Sequence, residues 1–320
     1  MNPVVIVAAV AGSFHPTAQR RHLRSNEAPR VIWFLLTLLS AFMLATSDAL
    51  TKRYFPATEM RAAIASRFVL SAVWFLPWVP WAKLSSLPAG LWGCLALLIP
   101  LDLIAFWLYV RAITTAPLSR TLPYLSLSPV FTLLAGHWLL GEAVSLHGAA
   151  GVGLIALGAW CLNLGTVKGW RGLIAPLWAV LEEPGARLMV LAALVFSVTA
   201  AIGKAALQYL PGLEFCALYA VVLGLVTGLG MRVRGNYVWR ASPARPWAAL
   251  ALSLTMAVMV ASHFIAIEHV PVAYMVAIKR TSLLFGLLYG LLWFREPAFL
   301  RSLLAALVML VGVTLISWPV

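Results

Sequence analysis

The sequence predicts an all-α polytopic membrane protein, with ten transmembrane helices arranged as two inverted five-helix repeats. Composition is the first reason: 62% of the 320 residues are hydrophobic and only 10% are charged, whereas soluble proteins carry about 25% charged residues. The second reason is that apolar runs long enough to cross a bilayer recur from residue 31 onward. The third is an internal repeat that relates the two halves of the chain.

Ten apolar segments follow one another, mostly through short links. Short links place sequence neighbours beside each other in space. The segments lie near residues 32–52, 60–80, 89–111, 118–140, 145–164, 188–208, 213–232, 246–267, 272–294 and 298–317. Two links are longer: residues 165–187, which can accommodate a short interfacial helix, and the basic residues 233–245.

Residues 1–30 are expected to form a mobile tail. Their apolar run, Val4 to Ala11, is short and no positive charge precedes it, which is not typical of a secretory signal peptide. We therefore divide the chain into this tail, a first repeat at 31–164, a linker at 165–187 and a second repeat at 188–320.

The repeat becomes visible when residues 112–158 are shifted by 154 positions onto 266–312, without a gap. Eleven positions are then identical. The pairs that an apolar composition does not explain are Pro117/Pro271, Phe131/Phe285, Gly136/Gly290 and Glu142/Glu296. Because five helices are an odd number, the second repeat must enter the membrane from the opposite side. Inverted repeats are typical of secondary transporters, which bind their substrate near the bilayer midplane.

Several motifs are similar to those of a known family. Each half has an Ala-Ile-x-x-x-Pro helix entry, and the segment that follows it ends in Gly-Glu (141–142) or Arg-Glu (295–296). A glycine-rich fifth segment and Arg67, early in the second segment, extend the pattern. From residue 31 onward, the sequence resembles the EamA-type ten-helix members of the drug/metabolite transporter superfamily. The resemblance implies a multi-pass carrier of the cell (inner) membrane that moves metabolites or drugs by alternating access.

Lysine and arginine are unevenly distributed between the two sides of the membrane. The tail and the even-numbered links contain six, and the odd-numbered links contain fourteen. The positive-inside rule therefore favours odd-numbered links in the cytoplasm and both termini outside. The family resemblance implies the reverse orientation, so the two criteria disagree.

Lys279 and Arg280 stand side by side about a third of the way into the ninth segment. A charge at this depth costs at least about 2–3 kcal/mol, so the pair needs a cavity, a buried acid or a ligand. Arginine can form two parallel hydrogen bonds with a phosphate or carboxylate group, and lysine supplies a point charge. The pair therefore favours an anionic substrate. Pairing with buried acids and snorkelling to the interface are the alternatives.

The equivalent positions of the fourth segment are Leu125 and Ser126, so the fold does not require these charges. The pair also resembles the Lys-Arg of plastid phosphate translocators, where the resemblance implies phosphate binding. The fourth segment departs from that pattern, because it has no lysine at mid-depth and Arg120 lies nearer its entry.

Four further side chains are candidates for substrate contact, each with a structural alternative. His263, deep in the eighth segment, is either a pocket residue or a hydrogen-bonded core histidine. Tyr274 and Tyr124 lie at similar depths in the ninth and fourth segments, where each either offers a hydroxyl to a ligand or packs as an aromatic ring. Arg67 either contacts substrate or pairs with an acid.

Three residues are candidates for coupling or charge pairing. Asp48 and Lys52 are four positions apart in the first segment and can pair along one helix face; alternatively, Asp48 is a proton- or cation-sensitive carboxylate. Asp102 lies in the third segment. Intramembrane carboxylates can bear a coupling proton, and the alternative is that Asp102 neutralises Arg67 or Lys279.

Other polar and small residues have structural interpretations. Glu142 and Glu296 open equivalent links, where hydrogen bonding at a helix end is expected. Glycines in the fifth and tenth segments are expected to let these helices approach closely. The three cysteines lie apart in apolar segments and form no disulfide or metal spacing.

The remaining patterns narrow the class of function. The chain has no GxxxxGK[ST], HxxxH, HExxH or GxSxG motif, which are typical of NTPases, metal enzymes and hydrolases. The net charge of +13 is spread over the links and forms no nucleic-acid patch. A secondary transporter of a small organic anion or phosphorylated compound is the main prediction. The alternatives are a proton-coupled exporter of amino acids or amphipathic drugs and, from another class, a polytopic membrane enzyme.

The expected partners are a small-molecule substrate and the lipid bilayer. No cofactor, metal or nucleic acid is expected. The family works mostly as ten-helix units, which implies a functional monomer, with a dimer as the alternative.

Overall fold

A computed structural model describes residues 27–56, 59–115, 124–163, 183–233, 245–293, 295 and 300–317. Within these ranges the chain forms helices and no strands. Most of the predicted tail and of the 165–187 link, together with Arg120 and Glu296, lie outside the described residues.

The helices are numbered α1 to α10 in chain order. They are α1 (Glu27–Tyr54), α2 (Met60–Trp78), α3 (Ala89–Thr115), α4 (Ser128–Leu140), α5 (Leu146–Asn163), α6 (Pro184–Ala206), α7 (Gly212–Val233), α8 (Pro246–Glu268), α9 (Val272–Trp293) and α10 (Leu300–Ser317). Seven of them are long and apolar enough to cross a membrane, while α4, α5 and α10 contain shorter apolar helices. The ten segments predicted from the sequence are therefore confirmed as helices.

Two helices begin earlier than predicted. The first residue of α1 is Glu27, inside the predicted tail, and α6 begins at Pro184, inside the predicted linker. Proline is favoured at the first helical position because its missing N–H has no intrahelical acceptor there. The apolar pattern alone cannot locate such starts, since these first turns contain charged and small residues.

The helix contacts follow the same pattern in the two halves of the chain. The contacts are α1 with α8, α3 with α6, α1 with α9, α6 with α4, α5 with α10, α4 with α9 and α2 with α7. Exchanging each helix with the one five places away maps these contacts onto one another or onto themselves. This pairing is the arrangement that inverted five-helix repeats produce.

Local geometry repeats with the same 154-residue shift. Gly141 and its equivalent Arg295 both adopt left-handed backbone conformations, with φ of 64° and 53°. A turn at Arg280–Thr281 divides α9, and the equivalent turn at Ser126–Leu127 immediately precedes α4. The two halves therefore share backbone features that their sparse sequence identity does not display.

The ninth helix is thus not the continuous helix that its apolar pattern predicts. It consists of α9a (Val272–Lys279) and α9b (Ser282–Trp293). The second helix also departs from regular geometry, because Ala65–Leu70 is π-helical and includes Arg67. Such π-helical insertions are frequent at functional sites.

Glycine permits the close contact between α5 and α10. A Cβ atom added to Gly151 would lie 2.7 Å from the carbonyl oxygen of Gly312, and the reverse distance is also 2.7 Å. A Cβ on Gly158 would lie 2.8 Å from the carbonyl oxygen of Ala305. The predicted close approach of these helices is confirmed.

Candidate functional site

The interruption of α9 lies at the two predicted cations. Lys279 is the last residue of α9a, Arg280 and Thr281 form the turn, and Ser282 begins α9b. The N–H groups of Arg280 and Thr281 each donate to a carbonyl three residues back, at 2.9 Å. The N–H groups of Leu283 and Leu284 also have carbonyl acceptors, so the break is a tight turn that displaces the two halves of the helix without freeing a row of donors.

Arg280 reaches from this turn to the start of α4. One of its Nη atoms donates to Oγ of Ser128, whose carbonyl oxygen accepts the Ser197 hydroxyl at 3.0 Å. Its buried Nε has no hydrogen-bond partner among the described residues. The guanidinium consequently has one donor without a partner among the described residues, near Ser128 at the start of α4.

Lys279 extends towards α8. Its Nζ lies 3.2 Å from Sδ of Met259 and 3.3 Å from Nδ1 of His263, one helical turn apart. Neither atom carries a negative charge, and an ammonium group has three donors. Of the predicted site residues, Lys279 contacts His263 directly. Arg280 is the next residue after Lys279, so these three residues lie close together.

Two other cations within the bundle are paired with acids. An Nη of Arg67 lies 2.6 Å from Oδ1 of Asp48 and 2.9 Å from Oγ1 of Thr51. Lys204 forms a buried ion pair with Glu142. In the ranges that the structure describes, no carboxylate lies within ion-pair distance of Lys279 or Arg280.

Glu142 joins the two repeats at one end of α9a. The left-handed Gly141 reverses the chain after α4, and Oε2 of Glu142 then accepts the N–H of Val272 at 2.8 Å. Lys204, its ion-pair partner, also donates to the carbonyl of Val270 at 2.5 Å. The prediction that Glu142 forms a hydrogen bond at a helix end is confirmed. The helix whose end it binds is α9a.

Asp102 lies in a different polar contact. Its Oδ2 accepts the hydroxyl of Tyr219 in α7 at 2.8 Å, and Thr199 of α6 lies beside the same carboxyl group. The alternative that Asp102 neutralises Arg67 or Lys279 is wrong, because Arg67 pairs with Asp48 and no described carboxylate reaches Lys279.

The Asp102 contact is separated from Lys279 by aromatic side chains. The ring of Tyr219 lies 5.4 Å from the ring of Phe264, which in turn lies 5.0 Å from the imidazole of His263. Since His263 contacts Lys279, the acid and the cations are linked by a short chain of packed residues from α7, α8 and α9.

Two predicted residues contact other parts of the bundle, and a third is exposed. The Tyr124 ring packs edge-on against Trp160 at 5.5 Å, in a separate buried cluster. Tyr274 lies against Gly148 of α5, with its hydroxyl 3.4 Å from Oγ of Ser145. Lys52 lies in the last turn of α1 and is exposed. Asp48, its predicted partner, receives Arg67 from α2, a contact across helices that the i,i+4 spacing did not predict.

Sequence reasoning missed several residues that surround the site. Ser128 had a usable signal, because it is identical to Ser282 in the aligned repeat. Met259 lies four residues before His263 and so shares its helix face. Tyr219 had no signal, since only the packing of α7 on α3 brings it to Asp102.

The fold and this site define a polytopic helical membrane protein with inverted repeats and, at a broken helix, two cations that have no acidic partner among the described residues. The EamA-like transporter family matches residues 31–164 and 183–318, and the chain belongs to that family. It is therefore a membrane transporter of the drug/metabolite transporter superfamily, whose EamA members are transporters and not enzymes. The family resemblance predicted from the sequence is confirmed.

A solved structure is similar to the chain as well. Its title reads only "Crystal structure of protein", and it has 17% sequence identity and a TM-score of 0.65, covering 91% of this chain and 96% of its own. At this identity, the similarity shows the fold alone. No curated protein matches the sequence.

Proposed function

We propose that this protein is a secondary transporter that moves a small organic anion or phosphorylated metabolite by alternating access, in the cell (inner) membrane. The observation that carries the proposal is the contrast among the bundle's cations. Arg67 and Lys204 have acids beside them, whereas no described acid is paired with Lys279 or Arg280.

Electrostatics explains why this contrast favours a ligand. An unpaired charge inside a membrane protein is costly, and such residues typically mark substrate pathways. A bound carboxylate or phosphate supplies the missing negative charge and can accept the Nε–H of Arg280, which has no partner among the described residues. Discontinuous helices at the interface of inverted repeats are the usual setting for such sites.

Asp102 supports a coupling role for protons within the same proposal. It is hydrogen-bonded by Tyr219 and has no described cation within ion-pair distance. A proton on this carboxyl group neutralises it, and a proton that enters with an anion reduces the net charge moved. The same carboxylate is the observation in favour of the second candidate, a proton-coupled exporter of amino acids or amphipathic drugs.

Counterflow in liposomes tests the substrate class. The purified chain is reconstituted with an excess of unlabelled compound inside, and entry of the same labelled compound is followed. The panel consists of inorganic phosphate, glycerol 3-phosphate, a dicarboxylate, a neutral amino acid and a cationic dye. We expect counterflow of at least one anion and none of the dye.

Variants then connect the activity to the site. Lys279→Gln and Arg280→Gln should each reduce anion counterflow about tenfold to a hundredfold, because each removes a charge-assisted interaction of about 1.5–3 kcal/mol. Lys83→Gln is the matched control, since Lys83 is exposed in the link after α2. Counterflow restricted to neutral or cationic compounds, undiminished in both site variants, would overturn the anion proposal.

A further inference from the structure

An apolar groove runs along the outer face of the bundle between α2 and α7. It has a volume of about 380 Å³ and ends at an arginine. Its lining comprises Val69, Ala72, Val73 and Leu76 from α2 with Val221, Gly224, Leu225, Gly228, Leu229 and Arg232 from α7. The site between the repeats uses none of these residues.

Glycine determines the depth of the groove. At Gly224 the helices touch, because an added Cβ would lie 2.7 Å from Cβ of Ala72 and 2.8 Å from the carbonyl oxygen of Phe68. At Gly228, one turn further, the nearest atom to such a Cβ is 3.8 Å away, in Val69. The helices therefore diverge towards Arg232, which leaves a slot between them.

The walls of the slot face outward. Val73 is 54% exposed, Leu225 62% and Leu229 60%. These apolar side chains are therefore not covered by the helix that packs against them. In a bilayer such a surface is covered by acyl chains, since apolar groups lose nothing by contact with lipid. An acyl chain is also the right shape for a narrow, continuous apolar slot.

Arg232 gives the slot a charge at one end. It is exposed in the last turn of α7, and no described carboxylate lies within ion-pair distance of it. It lies on the side of the odd-numbered links, which contain the majority of the lysines and arginines. Basic residues at this position relative to a membrane helix attract anionic headgroups.

We propose that this groove binds an anionic phospholipid, with one acyl chain between α2 and α7 and the headgroup phosphate on Arg232. A zwitterionic lipid has the same acyl chain but brings its own cation to the headgroup. The charge of the headgroup should therefore decide which lipid remains bound to the protein through purification.

Native mass spectrometry of the full chain in detergent tests the proposal. The protein is mixed with equal amounts of phosphatidylglycerol and phosphatidylcholine that have identical acyl chains. We expect wild-type protein to retain phosphatidylglycerol preferentially. Arg232→Gln should reduce that preference about fivefold, and Gly228→Leu should reduce binding of both lipids by filling the slot.

Matched variants separate this site from general lipid adhesion. Arg187→Gln removes an exposed arginine from the first turn of α6 on the same side of the membrane, and Gly153→Leu adds a side chain at an exposed helical glycine with open space around it. Both should behave as wild type. Excess glycerol 3-phosphate should not displace the lipid, because the acyl chain provides most of the contact.

Three results would overturn the proposal. They are equal retention of the two lipids by wild type, a preference that survives Arg232→Gln, and lipid-free dimers that dissociate in Gly228→Leu. The last result would assign the groove to a second copy of the chain. None of them depends on whether the protein transports anions.

Discussion

At the scale of single residues, a cation's partner indicates its role. Arg67 is held by Asp48 of α1 and Lys204 by Glu142 of the link after α4, so their charges stabilise contacts between different elements of the bundle. Among the described residues, Lys279 contacts a thioether and an imidazole, and Arg280 contacts a serine hydroxyl. Lys204 and Arg67 therefore have a structural role in the bundle, whereas Lys279 and Arg280 belong to its proposed ligand site.

Glu142→Gln should strongly destabilise the protein. Glutamine can still accept the N–H of Val272, but it leaves Lys204 as an unpaired buried charge, which costs about 3–5 kcal/mol. Thermal unfolding in detergent, followed by tryptophan fluorescence, measures the loss. The double variant Glu142→Gln/Lys204→Met should recover part of it, because no buried charge then remains.

The pair Lys83–Glu214 is the matched comparison. Its atoms are 3.8 Å apart and its side chains are 65% and 31% exposed, so Glu214→Gln should cost less than about 1 kcal/mol. If Glu142→Gln and Glu214→Gln lower stability equally, or if the double variant is less stable than Glu142→Gln alone, the Glu142–Lys204 pair does not have the structural role described.

Asp102→Asn should separate coupling from substrate binding. Asparagine can still accept the Tyr219 hydroxyl but cannot bind and release a proton. We expect counterflow without a pH gradient to remain within about twofold of wild type, because the substrate still reorients with the carrier. Accumulation of substrate driven by a pH gradient should be lost.

The two assays give distinct outcomes for Asp102. A protonophore added to wild type should abolish accumulation and leave counterflow intact, which reproduces the behaviour of the variant. Accumulation by Asp102→Asn at the wild-type level would exclude Asp102 as the proton-carrying group. Loss of counterflow as well would instead place Asp102 among the groups needed for substrate movement.

At the scale of secondary structure, backbone irregularities determine which side chains meet. The turn at Arg280–Thr281 ends α9a at Lys279, and the equivalent turn before α4 places Ser128 where Arg280 can reach it. The break in α9 therefore sets the positions of the two cations.

The α5–α10 contact offers a direct test at this scale. Gly151→Ala should destabilise the protein, because the new Cβ would lie 2.7 Å from the Gly312 carbonyl oxygen and the helices must separate. We expect a loss of about 1–3 kcal/mol in thermal unfolding, typical of overpacking.

Gly153→Ala is the matched control on the same helix. A Cβ at Gly153 has nothing within 4 Å, so this variant should be as stable as wild type or slightly more stable, since alanine favours helix by about 1 kcal/mol. Equal destabilisation of both variants would mean that the backbone contact does not limit the packing.

At the scale of the whole molecule, the inverted repeats make a prediction that does not depend on orientation. Pro56 and Pro211 follow equivalent helices, α1 and α6, and both are exposed. Single cysteines at these positions, in a chain whose native cysteines have been replaced, should lie on opposite sides of the membrane. A membrane-impermeant maleimide should label only one of them in intact cells.

Permeabilised cells provide the control, since both cysteines should then react. Labelling of both positions in intact cells would contradict the inverted arrangement of the two repeats. Which of the two reacts also decides between the orientations favoured by the positive charges and by the family resemblance.

The sequence by itself determined the class of this molecule. Long apolar segments have few ways to satisfy their backbone in lipid other than as helices, and an odd number of helices per repeat requires inversion. The sequence also indicated Lys279 and Arg280 as candidate site residues, because two adjacent charges are unusual in an apolar segment.

Only the tertiary structure decided how polar groups are partnered. Asp48 pairs with Arg67 and Asp102 with Tyr219 across different helices, and Glu142 of the link after α4 pairs with Lys204 of α6. The break in α9 likewise has no proline or glycine to mark it. Partnership depends on which helix faces meet, and a uniformly apolar pattern does not specify those faces because lipid and protein interior are equally apolar.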